Sequence, residues 1–120
     1  MRTTAARAYM QTKVHTTSQE ELVILLFSAA VRYLEQARQK MEEKDYAGKG
    51  TLISQALDVI NELDSSLNMH KGGELAQNMH SLYIFCQTRL LTANLKMDVK
   101  MVDEVLKILQ ELKSAFEDIY

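Results

Sequence analysis

The sequence predicts an all-α protein: an antiparallel up-down-up-down four-helix bundle with a short N-terminal capping segment. Three observations carry that reading. The chain has no Pro and only 4 Gly in 120 residues, which suits helices far better than a turn-rich β fold. Apolar residues recur at three- and four-residue intervals over four long stretches. The connections between those stretches are short, and short connections place consecutive helices antiparallel. With 47% hydrophobic and 25% charged residues, the whole chain suits a single soluble domain built on one core.

Residues 1–16 form an opening segment that carries Arg2, Arg7 and Lys13 and no acidic residue before Glu20. Its apolar handles are Tyr9, Met10 and Val14, and it is expected to pack weakly as a mobile cap. The first helix is predicted over about 17–42. Thr17-Ser18-Gln19-Glu20 reads as a capping box with Thr17 as the N-cap. Its core stripe is Leu22, Leu26, Ala30, Tyr33 or Leu34, Ala37 and Met41. Ile24, Phe27 and Val31 make a second apolar stripe, more than a bundle helix needs to bury.

Asp45 is the predicted N-cap of a second helix over about 46–67. Ile53, Ala56, Leu57, Ile60, Leu63 and Leu67 point inward, and Leu52 and Val59 are left on its flank. The only Gly-Gly pair, Gly72-Gly73, then reads as a break between two helices. A third helix over about 73–97 is predicted to bury Ala76, Met79, Tyr83, Cys86, Leu90 and Ala93, with a surplus stripe of Ile84, Leu91 and Leu95. Asp98 caps a fourth helix over about 98–119. Its apolar side is Met101, Val102, Val105, Ile108, Leu109, Leu112, Phe116 and Ile119.

Nothing in this pattern asks for catalysis. None of His15, His70 and His80 has the Glu three residues before it that a di-metal bundle uses. His80 lies too far round the helix from Cys86 to activate it, and no phosphate-cradling Gly loop is present. Glu42-Glu43 and Asp103-Glu104 read as solvated helix-end charges. The expectation is therefore no enzyme, no cofactor and no metal. A net charge of −2 and the lack of a basic stripe argue against nucleic acid. The longest apolar run, Leu22–Phe27, is far below the roughly 20 residues of a membrane span. A lone cysteine, Cys86, reads as a buried free thiol in a reducing cytoplasm.

What remains is surplus apolar surface. Burial recovers about 25 cal/mol per Å², so stripes left wet forgo a few kcal/mol. Such a patch points to helix-in-groove recognition of an amphipathic or disordered partner. The alternative is a self-associating helical bundle that turns the same stripes on itself.

Particular strings then resemble a known family. AYMQ around Tyr9, ELVILLFSAAVRYLEQA over Glu21–Ala37, QALDVINELDSSL over Gln55–Leu67, KGGELAQNMHSLY over Lys71–Tyr83 and RLLTAN over Arg89–Asn94 are similar, in order and spacing, to the flagellar secretion chaperone family FliS. The likeness spans about Ala6 to Ile119. Ser28 and Ala29 stand where the family often has Asp and Gly, and Phe116 replaces a usual Trp. The resemblance implies a cytoplasmic export chaperone that wraps the disordered C-terminal segment of flagellin around a helical bundle. It would prevent premature polymerisation and assist delivery to the flagellar type III export gate, with a gate component as a further partner. The resemblance also implies that the segment carrying Tyr9 caps the bundle and contributes to flagellin binding. The residues expected to meet the partner are Tyr9, Met10, Ile24, Phe27, Val31, Ile84, Leu91 and Leu95.

Overall fold

The computed structural model of the protein describes residues 18–119. Four helices follow one another: α1 (Gln19–Glu42), α2 (Tyr46–Ser65), α3 (Met69–Lys96) and α4 (Val99–Ile119). Tyr9, Met10 and Thr17 lie outside the described residues.

The helix ends follow local chemistry. Ser18, rather than Thr17, caps α1: its carbonyl accepts the Leu22 N–H at 2.9 Å, and its hydroxyl accepts the Glu21 N–H at 3.2 Å. The box is thus shifted one residue, to the Ser18–Glu21 spacing. Asp45 caps α2 by accepting the Gly48 N–H at 3.0 Å. Asp98 caps α4 through the N–H groups of Lys100 and Met101. Helices α1 and α3 both stop on a residue of positive φ, Lys44 at 60° and Met97 at 55°. Each lets the next N–H turn back onto the helix, Asp45 onto the Lys40 carbonyl and Asp98 onto that of Ala93.

The Gly-Gly pair is a kink within α3 rather than the connection itself. Helical hydrogen bonding begins earlier, with the Gly72 N–H donating to the Asn68 carbonyl at 2.7 Å. Gly73 then takes φ 53° and ψ −130°, a combination closed to residues with a Cβ. The connection proper is the short stretch after α2, which ends at Ser65 rather than Leu67.

In space the helices form a ring. Helix α1 packs on α2 and α4, and α3 packs on α2 and α4, while neither diagonal pair brings Cα atoms within 8 Å. Each helix therefore buries an arc turned toward two neighbours, wider than one heptad stripe. That is why Val59, expected on a flank, is 5% exposed, and why Leu106 joins the core beside Val102, Val105 and Leu109. The predicted core of α3 is buried in full, from Ala76 to Ala93, and Leu34 rather than Tyr33 is the buried member of its pair.

Phe27 corrects the reading of the second α1 stripe. Placed on the partner surface from sequence, it is 0% exposed. Its ring stands 5.4 Å from that of Phe116 on α4 and 6.4 Å from that of Tyr83 on α3. The α1–α4 seam covers the side of α1 on which it lies. Phe27→Ala is expected to lower unfolding free energy by about 3–5 kcal/mol, measured by chemical denaturation. Gly73→Ala should lower it by roughly 1–3 kcal/mol through backbone strain alone.

Candidate binding surface

Seam contacts fix which way each surplus stripe faces. On α1, residues 24, 27, 31 and 38 lie at spacings of 3, 4 and 7, and so share one side of the helix. Phe27 meets α4 through Phe116, and Arg38 Nε donates to Asp103 Oδ1 of α4 at 2.6 Å. Ile24 and Val31, both half-buried, therefore run along the α1–α4 seam. On α3, residues 80, 84, 91 and 95 lie at spacings of 4, 7 and 4. His80 Nδ1 lies 2.7 Å from Asp64 Oδ1 of α2, so this stripe runs along the α2–α3 seam. The two seams are on opposite sides of the ring.

The two stripes differ in exposure. Ile84, Leu91 and Leu95 are 44%, 59% and 86% exposed. Leu91 and Leu95 are the wettest of the predicted contact residues that the structure describes. From Ile84 to Leu95 the stripe runs about 16 Å at 1.5 Å per residue. Ile24 and Val31 offer less, since Val31 already packs on the core. Four further large apolar side chains stand in solvent: Tyr46, Leu75, Phe85 and Ile119, the last of which the sequence pattern had placed on the apolar side of α4. Phe85 lies on the other flank of α3, under the Arg89 guanidinium at 5.2 Å, and Arg89 reaches Glu104 of α4 at 3.1 Å. Sequence spacing had a signal for it, because Phe85 and Arg89 are one helical turn apart.

Asp103 and Glu104 are thus more than solvated helix-end charges. They tie α4 to Arg38 of α1 and to Arg89 of α3. Exposed pairs of this kind contribute about 0–1 kcal/mol each, so they guide register more than stability. The carboxylates of Asp103 and Glu42 raise the Arg38 pKa, the Asp103 hydrogen bond first.

The thiol and the phenol of α3 are tucked away from the exposed stripe. Cys86 is a buried free thiol, and desolvation pushes its pKa up to about 11. Burial likewise raises the Tyr83 phenol, with the Asp64 charge adding to the effect. Among the described residues no group of three His, Cys, Asp or Glu could hold a metal ion, and no helix is long and apolar enough to cross a membrane. What this geometry offers is an apolar ridge on the side of α3 where His80 meets Asp64 of α2.

The family model described as flagellar protein FliS matches residues 1–120. The chain belongs to the FliS family. It is 36% identical over 110 residues to the flagellar secretion chaperone FliSB of Pseudomonas aeruginosa, covering 92% of this chain and 87% of that protein. It is 35% identical over 115 residues to the flagellar secretion chaperone FliS of Salmonella typhimurium, covering 95% and 85%. The FliS of Bacillus subtilis is 30% identical over 110 residues, covering 92% and 81%. FliS is a family of chaperones rather than enzymes.

The buried thiol yields a pH prediction. The folded pKa of Cys86 lies above its ordinary value of 9.0, at about 11. The folded state therefore favours the protonated thiol, and stability is whole below pH about 9 and declines as pH rises toward about 11. Denaturant midpoints measured across that window should fall, and Cys86→Ala should flatten part of the decline. A thiol reagent at pH 8 should label the native protein far more slowly than the unfolded chain.

Proposed function

We propose that this chain is a flagellin-specific export chaperone of the cytoplasm. It binds the disordered C-terminal segment of flagellin, blocks premature polymerisation and assists delivery to the flagellar type III export gate. Membership of a family whose relatives are flagellar secretion chaperones supports the class of function. The observation that carries the finer reading is the pair of apolar stripes on opposite sides of the helical ring. One short rigid helix cannot cover both. A long segment that folds as it wraps the bundle can, and it would bury Ile84, Leu91 and Leu95 along one seam and Ile24 and Val31 along the other.

Such a partner loses conformational entropy on ordering, so the binding energy must come from buried apolar area. An export client gains from this arrangement. Its segment is shielded while held, through contacts that reverse when it is handed on. In this reading Tyr9 and Met10 cover part of the surface in the free protein and shift when flagellin docks. Phe27 contributes indirectly, by holding α1, α3 and α4 in place from within the core.

Calorimetric titration of the full chain with the flagellin C-terminal segment should give saturable binding with a negative heat-capacity change. Leu91→Asp should weaken that binding at least ~10-fold (about 1.4 kcal/mol), and should keep the thermal midpoint within about 3 °C, because the residue is exposed. Absence of binding by the unmodified chain would refute the flagellin reading. A mass in solution that grows with concentration, with no flagellin binding, would favour self-association through the same stripes.

A further inference from the structure

Glu62 is buried on a side of α2 that the neighbouring helices do not occupy. Residues 51, 58, 62 and 65 share one side of that helix, at spacings of 7, 4 and 3, opposite the core positions Ile53 and Ile60. Among the described helices α2 packs on α1 and α3 alone, and Asp64 marks its α3 flank by the contact with His80. Thr51 and Ser65 are exposed, as an outward side requires. Yet Glu62 is 7% exposed and Asp58 is half-buried. Across the seam the pattern repeats. Residues 21, 25, 28 and 32 share the outward side of α1, opposite Ala30 and Ala37. Glu21 and Arg32 are exposed there, but Leu25 and Ser28 are half-buried. Helices α1 and α2 run antiparallel about the short connection at 43–45, so Leu25 stands level with Glu62.

A covered strip thus crosses both helices on the outside of the ring, and this burial arises within a single chain. It also withdraws a carboxylate from water, which is costly unless cations or N–H groups meet it. Neither helix supplies a cation at this level. The first on α1 is Arg32, about 10 Å along the helix from Leu25. The only one on α2 is Lys49, whose ammonium is bound to the Asn94 carbonyl of α3. Residues 1–17, outside the described residues, contain Arg2, Arg7 and Lys13 and no acid. They join α1 at Ser18, about 10 Å from the level of Leu25. From Lys13 to Ser18 the chain extends up to about 16 Å, which spans that distance.

We propose that the outer α1–α2 strip, formed by Leu25 and Ser28 on α1 and by Asp58 and Glu62 on α2, is the docking surface for the opening segment of this same chain. The basic side chains of residues 1–17 meet the two carboxylates there. The contact is intramolecular, so it stands or falls independently of which partner the apolar stripes bind.

Chymotryptic cleavage after Tyr9, read by mass spectrometry, tests the docking. The full unmodified chain should be cut there at least ~10-fold more slowly than a free peptide of residues 1–17. Asp58→Asn with Glu62→Gln should speed the cut in the full chain at least ~5-fold, and so should Arg2→Gln with Arg7→Gln and Lys13→Gln, each rate being compared with that of the peptide of the same sequence. Combining the two sets should add little to either, because both remove one contact. Added salt should speed the cut in the unmodified chain and leave the combined variant unchanged. Cleavage of the unmodified chain at the peptide's rate would overturn the proposal. Unchanged rates in the basic-residue variant, or fully additive effects of the two sets, would overturn it as well. The basic-residue variant leaves α1 to α4 untouched, so it decides the matter even where the acidic variant loses its fold.

Discussion

The packing of Phe27 between Tyr83 and Phe116 sets the terms for the rest of this molecule. The diagonal helices α1 and α3 are too far apart for their backbones to touch, so the centre of the ring must be filled by large side chains. Phe27 and Tyr83, each at most 1% exposed, reach in from those two corners, and Phe116 closes the gap from α4. Tilted aromatic rings at these distances add to simple area burial. Because three helices share one cluster, the bundle holds its spacing while its outward faces stay free of structural duty.

That division explains the surface. The inner arcs of all four helices are apolar and nearly dry, from Leu22 to Leu109. The seams are marked by a few polar links, Arg38 to Asp103, Arg89 to Glu104, Asp64 to His80 and Lys49 to the Asn94 carbonyl. Their energy is modest, but each has one geometry, so together they fix how the helices are rotated about their axes. Rotation decides which side chains are left wet. With His80 held against α2, Ile84, Leu91 and Leu95 have no position in the core available to them. A chaperone surface here is the consequence of a satisfied core rather than an unfinished one.

The same logic separates residues that support recognition from those that perform it. Substituting Phe27 perturbs the ring that presents both stripes, whereas the outer leucines of α3 carry no share of folding. Gly50 weakens α2, and a side chain at its position would meet open space. A sequence selected for folding alone would place a better helix former there.

The sequence by itself determined the helices, three of their caps to within one residue, and the family; it marked the Gly72-Gly73 pair but read it as the connection rather than as a kink within α3. Heptad spacing and capping are local properties, legible wherever Asp45, Asp98 or the Leu22–Met41 stripe occurs. It also separated Ile84, Leu91 and Leu95 from the core of α3, because a surplus stripe shows as apolar residues off the main phase. Only the tertiary structure decided the rest. Phe27 shares its spacing with Ile24 and Val31, and nothing local says that Phe116 will come to cover it. Val59 and Leu106 became core for the same reason: each helix has two neighbours, and a one-dimensional pattern records only that a face is apolar. The opposite placement of the two stripes, and the open space at Gly50, depend on distances between helices that are far apart in the chain.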